Sequence, residues 1–196
     1  DWARVSAMTR LGNGLSAACH NEDALSVREG TLSMLRRLGG SENDILVVQS
    51  NLANTYEALK RHEEALRLKR DVYSGYLKLK GEESRNTILA ANNYANGLLT
   101  LERYAEAKSL LRKTIPLARR VLGESDALNF RMRKIFAITL YEPPDATRGD
   151  LREAVAELED LEPTARRMLG GAHPLATAIE RNLDESRDAL YARGLP

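Results

Sequence analysis

The chain has 196 residues, 43% hydrophobic and 29% charged, a composition that suits a folded globular protein and excludes wholesale disorder. Its 29 basic and 28 acidic side chains leave a formal charge of +1, so no one-sign field is available to attract nucleic acid phosphates or an anionic membrane. One cysteine, Cys19, excludes an intramolecular disulfide and suits a reducing compartment, and no apolar run of about 18 residues offers a membrane span.

Read in chain order, the sequence repeats itself. Residues 1–40 carry Leu11-Gly12, Leu15 and Ala24 and close at Leu38-Gly39. Residues 41–82 carry Asn51-Leu52-Ala53, then Tyr56, then Ala65 with Leu66, Leu68 and Val72, and close at Lys80-Gly81. Residues 83–124 repeat this with Asn93-Tyr94-Ala95 and Ala107, ending at Leu122-Gly123. Residues 125–171 carry Ile135-Phe136-Ala137, Ala154 and Leu169-Gly170, with five extra residues and Pro143-Pro144 in the turn between 142 and 150. A fifth copy, 172–196, has Asn182-Leu183-Asp184 and stops after its first helix, leaving Ala178, Ile179 and Leu183 for burial. The terminal glycines recur at steps of 42, 42 and 47 residues, and a fixed period of this length marks a repeat architecture.

Apolar residues within each half-unit fall at helical spacing and period two is absent, so each unit is expected to be helix, turn, helix. Gly39, Gly81, Gly123 and Gly170 follow apolar runs, where a left-handed cap needs a residue free of side-chain clash. Ser41, Asp126 and His173-Pro174 follow them as starters of the next helix. Gly12, Ala53, Ala95 and Ala137, with Ala24, Ala65, Ala107 and Ala154, are the small residues needed where two antiparallel helices approach closely. The expected fold is all-α: a right-handed α-solenoid of stacked antiparallel helix pairs, four pairs plus a terminal helix, forming one array over 1–196.

These motifs resemble the tetratricopeptide repeats of kinesin light chains, whose unit of about 42 residues carries an LG-x-x-HP junction, an N-L-A segment and a Y-x-E-A segment. Asn51-Leu52-Ala53 leads to Arg61-His62-Glu63-Glu64-Ala65, Asn93-Tyr94-Ala95 leads to Arg103-Tyr104-Ala105-Glu106-Ala107, and Leu169-Gly170-Gly171-Ala172-His173-Pro174 carries the junction intact. The glycine that usually precedes the Y-x-E-A segment is replaced by Lys60 and Glu102. The resemblance implies that the first helix of each pair lines a concave groove that takes a protein or peptide ligand.

Mapped by repeat position, the expected groove residues are Asn13, Ser50, Asn51, Asn54, Asn92, Asn93, Asn96, Arg131, Lys134 and Arg181. An Asn amide both donates and accepts, which suits clamping the backbone of an extended peptide; Asn54, Asn92 and Asn96 are assigned that role. Arg131, Lys134 and Arg181 are expected to form a basic end for acidic side chains or a carboxylate.

Chemistry finds no foothold. His20, His62 and His173 fall in different units without other ligands at metal spacing, and Cys19 lacks a histidine in nucleophile geometry. Gly12-Asn13-Gly14 lies inside a repeat helix with no preceding strand, so it is not a dinucleotide fingerprint. Arg36-Arg37, Arg119-Arg120 and Arg166-Arg167 sit at second-helix ends, where cations favour the helix dipole. The expected function is a non-enzymatic scaffold or adaptor without cofactor, metal, nucleic acid or membrane partner. The alternative is a structural subunit or spacer using convex or terminal surfaces, the terminal helix included; a repeat region of a larger signalling protein or enzyme ranks behind. An intracellular, cytoplasmic location is expected, with a removed targeting segment left open by the start at Asp1.

Overall fold

The computed structural model describes residues 1–193, and among them every regular element is a helix. These are α1 (Trp2–Ala17), α2 (Asn21–Arg37), α3 (Glu42–Ala58), α4 (His62–Lys80), α5 (Arg85–Thr100), α6 (Tyr104–Leu122), α7 (Ala127–Tyr141), α8 (Arg148–Leu169) and α9 (Pro174–Ala192). The last three residues of the expected terminal segment, 194–196, lie outside the described residues. The chain is all-α with consecutive helices packed in pairs, the arrangement of an α-solenoid. It packs as two compact units, Asp1–Gly81 and a second beginning at Glu82.

Local chemistry sets the helix ends. Ser41 accepts from the Asp44 amide at 3.1 Å, Asp126 from Leu128 at 2.8 Å, and His173 Nδ1 from Leu175 at 3.1 Å with Pro174 opening the helix, as expected. Two caps were not anticipated: Ser84, and Thr147, which forms a reciprocal capping box with Asp150. At the other ends Gly39, Gly81, Gly123 and Gly170 all take positive φ, as the helix terminators require. Cys19, Lys60 and Glu102, at matching turns after α1, α3 and α5, take φ of 62°, 62° and 55° with a side chain in place. These three residues hold the left-handed conformation without being glycine, at a cost of about 1 kcal/mol each.

In the first unit α1 packs on α2, α2 on α3 and α3 on α4. Gly12, Ala24, Ala53 and Ala65 are buried at these crossings. Val5, Leu25, Leu32, Leu35, Val48 and Leu52 form the core, each such side chain stabilising by about 1.5–3 kcal/mol. Gly75 marks the closest approach, since a Cβ there would stand 2.4 Å from Leu46 Cδ2. Two cations are buried at equivalent second-helix positions. Arg28 of α2 hydrogen-bonds Thr55 Oγ1 and donates at 3.1 Å to Asn51 O and to Asn13 Oδ1, and Lys69 of α4 pairs with Glu57.

The second unit puts fully buried leucines, Leu111 and Leu158, at those positions in place of a cation. Its centre is α7, which packs against α5, α6, α8 and α9 and buries Phe130, Met132 and everything from Ile135 to Tyr141. That explains why this copy of the first helix is more apolar than the others. The one buried charge on α7, Arg133, pairs with Glu157 and with Asp160 at 2.6 Å on α8. The expanded turn is closed by Arg193, which donates to the carbonyls of Pro143 at 3.3 Å, Pro144 at 3.1 Å and Ala146. Ile179 and Leu183 of α9 are buried as expected, while the face of α9 that would carry a second helix is Thr177, Glu180 and Asp184, all exposed. At the same positions α7 has Phe130, Arg133 and Ala137, all buried.

Candidate protein-binding surface

The expected residues sort differently in the two units. In the first unit Asn54 is exposed near the end of α3, while Ser50 and Asn51 are half-buried on the same helix. Asn13 is exposed on α1, but its amide oxygen already accepts from Arg28, so it positions a buried guanidinium as well as facing solvent. A residue pair absent from the expected set dominates this surface. Trp2 and Val47, 54% and 41% exposed, border a cleft of about 270 Å³ with Val5, Thr9 and Val48 in its walls. The sequence did carry a signal: Val47 occupies the repeat position taken by Leu89 and Arg131 in later copies, and Leu89 is also largely exposed. Exposed apolar side chains on a surface otherwise rich in Asn are candidates for anchoring a ligand side chain.

In the second unit Asn96 is exposed on α5, with Asn93 half-buried one turn earlier. Asn92 is 6% exposed; its Nδ2 donates to Asn93 Oδ1 at 3.3 Å and its own Oδ1 has no hydrogen-bond partner among the described residues. An unsatisfied buried carbonyl costs about 1–3 kcal/mol. The Asn row does not continue across α7, where the matching residue is the buried Ile138, and in α9 the position is Glu185.

The basic residues lie on α7 and α9. Burial, reinforced by the positive charges of Arg181 and Arg131, pushes the Lys134 ammonium below the usual lysine range. Arg131 and Lys134 make no ion pair among the described residues, and Arg181 Nε reaches Glu185 Oε1 only at 3.7 Å. Glu185 is engaged elsewhere. It accepts from Tyr141 at 2.7 Å and from Asn182 at 3.0 Å, bonds that hold its carboxyl below the usual range, while burial and that same carboxylate drive the Tyr141 phenol well above its own. Among the described residues Lys134 thus feels two arginines with no paired carboxylate of its own, while Asp126 lies within range of Arg131.

The arginine pairs at second-helix ends do more than meet the helix dipole. Arg120 pairs with Glu83 ahead of α5, and Arg166 bridges Glu162 of its own helix and Glu180 of α9, each at 2.8 Å. Among the described residues no group of three His, Cys, Asp or Glu side chains is placed to hold a metal ion, and no helix is long and apolar enough to cross a membrane.

Residues 44–120 match the family model of the tetratricopeptide repeat. No curated protein matches the sequence. Among solved structures, the chain is similar to the nearly identical TPR-like repeats of a Podosopora anserina kinesin light chain-type protein, with 20% identity over 97% of this chain and 88% of that one at a TM-score of 0.80. A second structure of those repeats gives 20% identity, 97% and 89% coverage and a TM-score of 0.78. BtubC of P. vanneervenii is similar at 18% identity, covering 99% of this chain and 84% of that one with a TM-score of 0.65.

Proposed function

We propose that this chain, a tetratricopeptide repeat protein with kinesin light chain-like repeats, works as an adaptor or scaffold that binds an acidic segment of a partner protein along the first helices of its repeats. Repeats of this kind generally mediate protein–protein interaction. One observation supports the acidic ligand: Lys134 is desolvated on α7 within electrostatic range of Arg131 on its own helix and of Arg181 on α9, and although Asp126 lies within range of Arg131, no carboxylate pairs with Lys134. Holding three cations together is unfavourable in the free protein, and a ligand carboxylate relieves that repulsion as it binds. Exposed Asn54 and Asn96 supply backbone contacts, each in its own unit, and the cleft beside Trp2 takes an apolar side chain. The role is binding without catalysis, with no cofactor, and the proposed location is intracellular.

The test is a titration of a labelled peptide rich in Asp and Glu, against its Asn/Gln counterpart, followed by fluorescence anisotropy. Wild type should prefer the acidic peptide, and Arg131→Glu/Lys134→Glu should weaken that preference at least tenfold. Equal binding of both peptides removes the acidic ligand from the proposal. Crosslinking and pull-down with Asn54→Ala/Asn96→Ala addresses the amides separately, since unchanged partners move the interface away from the first helices.

A further inference from the structure

Among the described residues, Arg28 of α2 is the one buried cation without a carboxylate. Lys69, 4% exposed, pairs with Glu57, and Arg133, 3% exposed, pairs with Glu157 and Asp160. Arg28, 7% exposed, has only neutral acceptors: Nη1 donates to Thr55 Oγ1 and to Asn51 O, and Nη2 donates to Asn13 Oδ1 at 3.1 Å. Burial holds its guanidinium below the usual arginine value, and no carboxylate offsets that. The crossing is shaped around this side chain. Gly12 stands on α1 where later copies have Ala53, Ala95 and Ala137, and a Cβ there would come within 3.2 Å of Arg28 Cγ.

Of the acceptors, Asn13 is the one whose side chain reaches water, since Thr55 is buried and Asn51 offers a helix carbonyl. A guanidinium has donors alone, so Asn13 must turn its amide oxygen towards Arg28, and its Nδ2 is left with no hydrogen bond among the described residues. Accepting from a cation polarises the amide and makes Nδ2 a stronger donor. Asn54 and Asn96, at the same repeat position, lack this backing. Behind Asn54 the residue matching Arg28 is Lys69, which turns to Glu57, and behind Asn96 it is Leu111. Charge around Asn13 also favours an anion. Helix α1 contains no carboxylate, and Arg10, one turn before Asn13, is exposed without an ion pair among the described residues.

We infer that Asn13, oriented and polarised by Arg28, is a subsite for a carboxylate side chain of the bound partner, with Arg10 adding positive charge beside it. This rests on the reading that an acidic segment lies along the first helices, and it adds a contact in the first unit to the cations of the second. The test uses the full chain labelled with nitrogen-15, with the Asp/Glu-rich peptide and its Asn/Gln counterpart. The Asn13 side-chain amide resonances, assigned by their loss in Asn13→Asp, should shift saturably with the acidic peptide and not with the other. Asn13→Asp keeps an acceptor on Arg28 and supplies its missing counter-ion, so its thermal midpoint should equal or exceed that of wild type. Its anisotropy titration should nonetheless weaken about fivefold or more for the acidic peptide, which a merely structural Arg28 would not require. Arg28→Leu, which copies Leu111 and Leu158 and is expected to fold by circular dichroism, should weaken that binding by a similar factor. If wild type favours the acidic peptide but Asn13 does not shift, or if Asn13→Asp or folded Arg28→Leu binds it as wild type does, this subsite alone is overturned. A wild type with no preference for the acidic peptide removes the acidic ligand and the subsite together.

Discussion

Tyr141 of α7 donates its hydroxyl to Glu185 Oε2 of α9 at 2.7 Å, and that bond draws the Glu185 carboxylate towards α7 while Arg181 keeps only the longer 3.7 Å contact to Oε1. The nearest internal counter-ion of the basic cluster is thereby shared. Replacing it exposes the cluster more fully: Glu185→Gln should raise affinity for an acidic peptide about threefold, within the ~0.2–1 kcal/mol range of an exposed ion pair. An unchanged or lower affinity by anisotropy shows that Glu185 does not compete with the ligand.

Lys134 sets binding against stability. Its ammonium is held below the ordinary value of 10.5 by burial and by Arg181 and Arg131, so the charged form destabilises the native state. Lys134→Leu should therefore stabilise the free protein by about 1 kcal/mol in thermal unfolding while weakening acidic-peptide binding about tenfold. The native pKa lies below the unfolded one, so the unfolded chain holds more protons between the two values and wild-type stability rises with pH there. The gap between wild type and Lys134→Leu should accordingly narrow as pH climbs towards 10.5.

The strained turns give a cleaner stability test. Lys60 and Glu102 are exposed, hold φ of 62° and 55°, and follow α3 and α5. Lys60→Gly and Glu102→Gly should each stabilise by about 0.5–1 kcal/mol in denaturant melts, because the relief of left-handed strain exceeds the added chain entropy. At Gly170, whose φ of 90° and ψ of 145° lie in a region open essentially to glycine, Gly170→Ala should cost about 1–3 kcal/mol. If the two glycine substitutions destabilise instead, those side chains make contacts that outweigh the strain.

Asp150 links the α8 cap to α6. Its bond to Lys108, helped by Thr147, lowers its carboxyl from the ordinary 3.8 to about 2. A depressed acid contributes stability that is complete above 3.8 and is lost as pH falls through that value towards about 2. Acid unfolding of wild type should therefore be steeper over this window than that of Asp150→Asn, which starts less stable at neutral pH. Parallel curves would mean the pair is fully screened by water.

The sequence was most informative where one residue type answers one backbone demand. Gly39 to Gly170 at helix ends, Ala53 and Ala137 at crossings and His173-Pro174 at a start each satisfy a local steric or hydrogen-bonding rule, and a rule repeated in register reveals itself. Polar positions were harder. Asn92 and Asn96 read as equivalent members of a row, yet one is buried and the other exposed, because a side chain's depth depends on neighbours from other repeats. Trp2 and Val47 were passed over for the converse reason: an apolar residue in a helical pattern looks like core until the packing leaves it outside.

By itself the sequence determined the all-α repeat, the ends of most helices and the crossings where small residues sit, since propensity, capping and close approach act within a few residues or recur at a fixed period. Only the tertiary structure decided that Glu185 is shared between Tyr141 and Arg181 and that Lys134 is desolvated beside two arginines. Burial and charge coupling are sums over side chains distant in sequence, and no period encodes which of them end up within reach.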